Sequence, residues 1–191
     1  MKYVRNEINF NELEEELELQ IRQFLKYFPD IPFINGTQHM HLLPKVWKIV
    51  VKLATKYEIG AIRVPSMRSL RMNDLNSKVV ALFSHNVLGE LARFSLRGTC
   101  IKTPDKVIGL QYAGQISKHR LMKLLLNMPS DRVTEIVMHP GYESLTLREN
   151  LPWAYTNFNW DIEREALQSQ EVQNLLEERN IKLIQFADLL N

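Results

Sequence analysis

The sequence predicts an α/β fold in which parallel strands alternate with helices. Three observations lead to this prediction: helical spacing of apolar residues ended by proline, short β-branched apolar runs, and connections of only a few residues between them. The first part of the chain has the order helix, strand, helix, strand. Because parallel strands need crossover connections between them, this order predicts a parallel sheet with helices packed outside it.

The first half of the chain contains two predicted helices and two predicted strands. In the first helix, residues 10–28, apolar side chains recur every three or four positions, which places them on one face. Asn11 is its predicted N-cap, and Pro29 is its predicted stop. The other elements of this half are a strand at 33–35, a helix at 44–57 with proline at its start, and a strand at 61–65.

The second half continues the alternation. The turn signal Thr103-Pro104-Asp105 precedes a short predicted strand, and His139-Pro140-Gly141 ends a buried one. The predicted helices lie at 76–97, 117–127 and 162–179, and the predicted strands at 106–109, 133–138 and 181–184. No repeat, low-complexity stretch or linker divides the chain, so residues 1–191 are predicted to form a single domain.

The composition excludes several classes of protein. The 24 basic and 22 acidic side chains give a net charge of +2 without basic clusters, so neither nucleic acid nor a membrane surface is expected as a partner. The single cysteine, Cys100, indicates a reducing compartment. Residues 1–11 contain no secretory apolar region, and the chain has no run of about 18 apolar residues. We therefore expect a cytoplasmic protein.

The sharpest local feature is a histidine segment between a predicted strand and a predicted helix. It contains His39 and His41, and loops at this end of parallel strands commonly build active sites. In an extended segment, residues two positions apart point to the same side, so both rings could hold a divalent cation or grip a polar substrate. The alternative is that one histidine is buried and hydrogen-bonded while the other is exposed.

A second histidine segment follows the predicted strand at 133–138. Pro140 and Gly141 fix a sharp exit that would aim the ring of His139 into a pocket, where it could act as a general acid or base. The alternative is a structural histidine at a strand end. Arg63 lies within an apolar strand, so we expect it either to face a polar pocket or to pair with a carboxylate such as Glu135.

The remaining chemical signals are weaker. His85 and His119 are expected to be solvated, and Cys100 has no neighbouring motif of a nucleophile. An aromatic cluster could pack in the core or stack on sugar rings; it consists of Trp153, Tyr155, Phe158 and Trp160. The chain lacks a glycine-rich phosphate loop, a GxSxG elbow, an HExxH motif and zinc-type cysteine pairs, which excludes the usual nucleotide, serine-hydrolase and zincin classes.

Three segments carry a family resemblance: INGTQHMHLLP at 34–44, AIRVP at 61–65 and TEIVMHPGY at 134–142. Together they resemble the YdjC-like carbohydrate deacetylases, which include chitooligosaccharide and hopanoid-associated deacetylases. The resemblance runs along nearly the whole chain from Phe24 onward. It implies a distorted (β/α) barrel of the polysaccharide-deacetylase-like type. It also implies removal of the N-acetyl group from an amino sugar or oligosaccharide.

The resemblance also implies a mechanism and roles for residues. A divalent metal, Mg or Zn, activates water and polarises the amide carbonyl, an aspartate acts as base and a histidine acts as acid. By this likeness His139 is the acid or orients it, and Arg63, Glu135 and Tyr142 support the substrate pocket. His39 and His41 would lie on the metal side of the site.

Two departures from the family pattern shape the expected activity. The family begins with a strand that carries an Asp-Asp pair, which this sequence lacks, so we expect a barrel without its first strands. Asn35 and Thr37 stand where the family has an aspartate and a metal-binding histidine. We therefore expect the chain alone to be impaired or inactive. The alternatives to an impaired enzyme are a non-catalytic remnant and a sugar-binding or interaction module. A barrel without its first strands would leave an open sheet edge, and we expect a second copy or a complementing N-terminal chain to cover that edge.

Overall fold

The computed structural model describes residues 7–65, 87–150 and 157–190. It is a mixed α/β structure with two compact units, one formed by Met1–Thr103 with Gln185–Asn191 and the other by Pro104–Ile184. The prediction of a single domain stays a prediction. Three residues of the sequence analysis lie outside the described part, His85, Trp153 and Tyr155, as do residues 76–86 of the helix predicted at 76–97.

Unit 1 is built mainly from helices. They are α1 (Phe10–Leu25), α2 (Pro44–Lys56) and α3, whose described part is 87–95, with 3-10 helices at Thr37–Leu42 and Phe186–Leu190. The prediction of α2 is confirmed, with Pro44 at its first position. The N-cap prediction for α1 was wrong: the side chain of Asn9, not Asn11, accepts hydrogen bonds from the amides that begin the helix.

Helix α1 packs against α2 through one apolar face and a row of ion pairs. Leu17 and Ile21 contact the core, although no residue of α1 is fully buried. On the same side, Glu18 accepts a hydrogen bond of 2.6 Å from the Lys56 ammonium. The helix ends at Leu25, earlier than the predicted stop at Pro29, so the proline does not decide its length.

Among the described residues of unit 1, parallel pairing is limited to single bridges. Ile34 pairs with Ile62, and Ala61 pairs with Lys102. The strands predicted at 33–35 and 61–65 therefore exist only as these contacts, because a ladder needs several consecutive pairs. Beneath them lies the unit 1 core, made of Leu42, Trp47, Val50, Ala54, Ile59, Ile62, Val64, Ala92, Leu96 and Ile101.

Unit 2 contains a two-stranded parallel sheet. Strand β1 (Lys106–Ile108) pairs with β2 (Thr134–Ile136), with Val107 opposite Glu135. Both strands were predicted, although each is shorter than its apolar run. In the described part of this unit, the helices are α4 (Lys118–Leu126), α5 (Leu145–Asn150), α6 (Trp160–Gln168) and α7 (Gln170–Glu178), with a 3-10 helix at Leu110–Tyr112.

The C-terminal part of unit 2 differs from the prediction in two places. The helix predicted at 162–179 is two helices, because Ser169 is extended and its hydroxyl caps α7 by accepting from the Val172 amide. The strand predicted at 181–184 was wrong. Asn180 adopts a left-handed conformation, and the Ile181 amide closes the end of α7 on the Leu176 carbonyl, so the segment leaves the helix without a strand partner among the described residues.

The core of unit 2 lies between its helices and the sheet. It is formed by Ile116, Leu121, Leu125, Ala166, Val172 and Leu175. Within the described ranges, no helix is both long enough and apolar enough to span a bilayer.

Candidate functional site

The first histidine segment is wound rather than extended. Gln38 and His39 have φ of 50° and 57°, a left-handed conformation that side chains rarely adopt, inside the 3-10 helix. Rings two positions apart therefore do not share one side as an extended segment would require. The ring centroids of His39 and His41 lie 6.2 Å apart, with an angle of 64° between the ring planes.

The His41 ring is buried and bonded to the main chain. Its Nε2 lies 2.7 Å from the carbonyl oxygen of Arg63. Because a carbonyl oxygen can only accept, Nε2 carries the proton and donates it. Burial lowers the pKa of His41, an effect that the hydrogen bond to the Arg63 carbonyl opposes and the nearby Arg63 charge strengthens. The ring is thus held as a neutral donor, which agrees with the buried alternative for this histidine.

The other nitrogen of His41 faces glycine. Its Nδ1 is buried and has no hydrogen-bond partner among residues 7–65, 87–150 and 157–190. A Cβ built on Gly36 would lie only 2.6 Å from this atom, so the glycine leaves room for the ring. Main-chain bonding on one side and glycine on the other leave His41 poorly placed to ligate a metal.

The described residues do not assemble a metal centre. No group of three or more histidine, cysteine, aspartate or glutamate side chains in that part of the chain is arranged to hold a cation. Thr37 is exposed, and its hydroxyl would be a weak ligand for a transition metal. The residues near His39 and His41 therefore do not fit a metal site by themselves, and their role as ligands stays a prediction.

Arg63 is fixed at its backbone on both sides. Its amide donates to the Ile34 carbonyl at 2.9 Å, and its own carbonyl accepts from His41. The guanidinium carbon lies 5.8 Å from the centroid of the Phe186 ring, and that ring stacks on Phe33 with centroids 3.9 Å apart. Arg63 thus lies beside an aromatic pair in unit 1, whereas Glu135 lies in unit 2, and the predicted ion pair between them stays a prediction.

The second histidine segment follows β2 as predicted. After the strand, the Val137 amide donates to the Ile108 carbonyl at 2.9 Å, which extends the pairing toward His139. The backbone amide of His139 donates to the carboxylate of Glu163. The imidazole of His139 meets the ring of Phe158 edge-on, with centroids 4.9 Å apart and an angle of 70° between the planes.

Aromatic side chains line the surroundings of His139. Phe158 and Trp160, the described members of the predicted aromatic cluster, are nearly parallel at 13° with centroids 6.1 Å apart. Tyr142 is 72% exposed, and the guanidinium carbon of Arg164 lies 4.6 Å from its ring centroid. Because Arg164 is held by Asp161 at 2.8 Å, the cation lies against the tyrosine ring in a fixed position.

One buried residue was missed by the sequence reasoning. Glu163 has no exposed surface, and each carboxylate oxygen accepts a backbone hydrogen bond, Oε1 from Ile116 at 2.9 Å and Oε2 from His139. The sequence does hold a signal for it: Glu163 precedes Ala166 by three positions, so the two share the buried face of α6. A carboxylate on the apolar face of a helix indicates an internal partner.

The other predicted residues lie at the surface. His119 is exposed on α4, which confirms the prediction for that histidine, and Cys100 is an exposed free thiol. The structure thus groups His39, His41 and Arg63 in unit 1. It groups His139, Glu135 and Tyr142 in unit 2.

Comparison with known proteins identifies relatives along nearly the whole chain. The family model for YdjC-like proteins matches residues 1–178. A carbohydrate deacetylase of Listeria monocytogenes is 26% identical over 184 residues, covering 96% of this chain and 62% of the relative. The mouse carbohydrate deacetylase is 27% identical over 149 residues, covering 70% of this chain and 46% of the relative. The chain thus spans about half to three fifths of the length of these curated relatives.

A solved structure has a similar fold. It is a protein of Enterococcus faecalis V583 provisionally described as a cellobiose-phosphate cleavage protein. The TM-score is 0.67 at 24% sequence identity, and the match covers 97% of this chain and 63% of the other. At this identity the likeness concerns the fold alone.

Proposed function

Because the chain belongs to the family of YdjC-like proteins, we propose that it carries the acid side of a carbohydrate deacetylase site that removes the N-acetyl group of an amino sugar. The observation that carries the proposal is the placement of His139, at the exit of a parallel strand and held by helix α6. The relatives named carbohydrate deacetylase, of which one aligns with 96% of the chain, support the reaction class.

In the proposed reaction, water adds to the amide carbonyl of the N-acetyl group. The C–N bond then breaks, acetate leaves, and the sugar nitrogen takes up a proton. His139 is the residue that donates this proton, since an imidazole can change its charge near neutral pH. Arg63, Glu135 and Tyr142 would support the substrate pocket. The Tyr142 ring is exposed, so it is suited to stack on a sugar ring. The Arg164 guanidinium lies against the same aromatic ring and holds it in place.

The proposed family reaction uses a divalent metal, Mg or Zn, which would polarise the amide carbonyl. The described residues around His39 and His41 do not form such a site alone. The chain by itself is therefore proposed to be impaired or inactive, and the (β/α) barrel implied by the family is part of this proposal. We propose that a second copy or a complementing chain contributes further metal ligands. Exposed apolar side chains at the end of α1, such as Phe24 and Phe28, support such an association.

The first experiment is to measure binding of Zn²⁺ and Mg²⁺ to the purified chain by calorimetry and by metal analysis after dialysis. Stoichiometric binding that is abolished by His39→Ala or His41→Ala would support metal binding by these histidines and would argue against the proposed inactivity of the chain. Absence of binding is the expected result for the chain alone. Acetate release from N-acetylglucosamine oligomers, measured with wild type and His139→Ala, then tests the acid role. Where wild type releases acetate, equal release by His139→Ala would contradict that role.

The second candidate function is a non-catalytic sugar-binding module, which the exposed Tyr142 ring favours. Saturation-transfer NMR with diacetylchitobiose and with its deacetylated form separates this function from the deacetylase. A binding module without catalysis would bind the acetylated sugar, lose binding on Tyr142→Ala and release no acetate. Phe94→Ala, which removes an equally exposed ring of unit 1, is the control.

A further inference from the structure

The first turn of helix α6 contains a carboxylate that has no contact with solvent. Glu163 is 0% exposed, and it lies one turn after the N-cap Asn159. Burying a carboxylate is costly unless hydrogen bonds replace those it makes with water. Within the described residues, the replacements are two main-chain amides, those of Ile116 and His139.

The number of donors matches the number of acceptor oxygens. Oε1 accepts from Ile116, before α4, and Oε2 accepts from His139, after β2. These two amides belong to segments far apart in the sequence, so the carboxylate joins both to α6. Glutamine at this position would keep only one acceptor oxygen and would turn an N–H group toward the other amide.

The turn that carries His139 is held by the start of α6 at two points. The His139 amide donates to Glu163, Pro140 has no amide hydrogen, and the Gly141 amide donates to the carbonyl of Trp160 at 3.3 Å. Every amide hydrogen of the His-Pro-Gly turn is therefore bonded to α6. The backbone from which the His139 ring projects cannot shift without breaking one of these bonds.

The segment that leads into α6 also contacts the His139 ring and limits its direction. The edge of the His139 imidazole contacts Phe158, two residues before α6. Phe158 is itself confined, because a Cβ built on Gly114 would lie 2.4 Å from its ring. The Asn159 amide also donates to the Gly114 carbonyl at 2.7 Å, which ties this segment down.

We infer that Glu163 is a positioning residue for His139: its carboxylate fixes the backbone of the His-Pro-Gly turn and thereby the place of the imidazole. Glu163 acts through the His139 amide and does not touch the reacting atoms. The inference rests on the proposed function only in that His139 is taken as the acid. The geometric part, control of the His139 ring by Glu163, is independent of any activity.

The test compares Glu163→Gln with Glu165→Gln by NMR of the full chain. Glu165 lies on the same helix and is exposed, so its variant makes the same chemical change without touching His139. In wild type the His139 and Ile116 amides are expected to be protected from hydrogen exchange. In Glu163→Gln the His139 amide exchanges about tenfold faster or more, as loss of a buried hydrogen bond predicts. The ring signals of His139 shift or broaden while those of His119 stay in place.

A purely structural role for Glu163 gives a different result. Glu163→Gln would then be less stable but would keep the wild-type ring signals of His139, and this would overturn the inference. Should Glu163→Gln fail to fold, hydrogen exchange of the His139 amide in wild type still tests the bond between that amide and Glu163. A His139 amide that exchanges as fast as an exposed amide is incompatible with a bond to the Glu163 carboxylate.

Activity provides the second readout. Where wild type releases acetate, Glu163→Gln is expected to lower kcat by about 10- to 100-fold with little change in KM, as displacement of a catalytic group does. Glu165→Gln should leave both constants unchanged. An unchanged kcat in folded Glu163→Gln would contradict the inference. Wild type that releases no acetate would agree with the proposed inactivity of the chain alone, and the NMR comparison then decides by itself whether Glu163 positions His139.

Discussion

The His41 imidazole donates a hydrogen bond of 2.7 Å from Nε2 to the carbonyl oxygen of Arg63. A main-chain atom therefore sets the tautomer of a buried histidine, and the same contact joins the 3-10 helix to the segment that pairs with Ile34. The bond holds the second histidine of the wound segment against the backbone at Arg63. Burial of the same ring gives the folded state a dependence on pH.

We expect the protein to lose stability as the pH falls below about 6.5, the ordinary pKa of histidine. Burial, the largest cause, lowers the pKa of His41 in the folded state, so between the two pKa values the unfolded chain binds a proton that the folded chain does not. The contribution of His41 is complete above the ordinary pKa and is lost as the pH falls toward the lowered one.

The measurement is urea unfolding of wild type and His41→Phe from pH 5 to 8. The difference in unfolding free energy isolates His41, because the two proteins differ at that residue alone. At pH 8 the variant is expected to be less stable by about 1–3 kcal/mol, since the Arg63 carbonyl loses its donor. His119→Phe is the exposed control. Parallel pH curves for wild type and His41→Phe would show that His41 is not the titrating group.

Gly36→Ala is expected to destabilise unit 1 by about 1–3 kcal/mol through a steric clash. The added Cβ would lie 2.6 Å from Nδ1 of His41, although the backbone of Gly36 is extended and any residue can adopt it. The reduced freedom of the unfolded chain, a gain of up to about 1 kcal/mol, acts in the opposite direction and is smaller. Denaturant unfolding measures the net effect.

The control for this change is Gly141→Ala. There the new Cβ would lie 3.4 Å from Trp160, an ordinary contact. The pair separates the clash from the general effect of replacing glycine. Equal stability of the two variants would mean that the His41 ring moves aside freely.

Phe186→Ala should cost about 2 kcal/mol of unfolding free energy, less than for a fully buried phenylalanine because the ring is only half-buried. The substitution removes the stack on Phe33, whose centroid is 3.9 Å away, and the aromatic face near Arg63. Thermal unfolding followed by circular dichroism checks the change. Phe94→Ala removes a ring that is 65% exposed and should have a much smaller effect.

Ser169→Ala is predicted to weaken the start of α7 by about 1 kcal/mol, the usual cost of losing an N-cap. The Ser169 hydroxyl accepts from the Val172 amide and also donates to Glu171. The pKa of Glu171 is lowered to about 2, chiefly by Lys118, so loss of the smaller Ser169 contribution should raise that pKa in part. NMR titration of Glu171 and denaturant unfolding test both effects. Ser130→Ala, at an exposed position, should change neither.

The sequence predicts well the elements that depend on neighbouring residues. Helix α2 begins at Pro44 and α4 is capped by Ser117, and both signals are local. The strands were predicted less well, because apolar runs at 33–35 and 61–65 do not reveal how many residues find a partner. Pairing depends on chain segments that are distant in the sequence.

In the candidate site, too, the residues could be predicted better than their contacts. His39, His41 and His139 could be chosen from their motifs, but their surroundings could not. The role of His41 depends on a carbonyl of another segment, at Arg63, and the anchoring of His139 depends on Glu163, which no motif marks. Buried polar contacts of this kind follow from the packing of whole helices, so a single sequence does not specify them.

Stacking of Phe186 on Phe33 has a consequence for the order in which the two units can be completed during translation. Unit 2 is one continuous stretch, Pro104–Ile184, whereas unit 1 needs Gln185–Asn191 in addition to Met1–Thr103. As the chain leaves the ribosome, every residue of unit 2 is available before Phe186 emerges. Although Met1–Thr103 precedes unit 2 in the sequence, unit 1 is therefore completed after unit 2, and until then Phe33 lacks the ring that stacks on it.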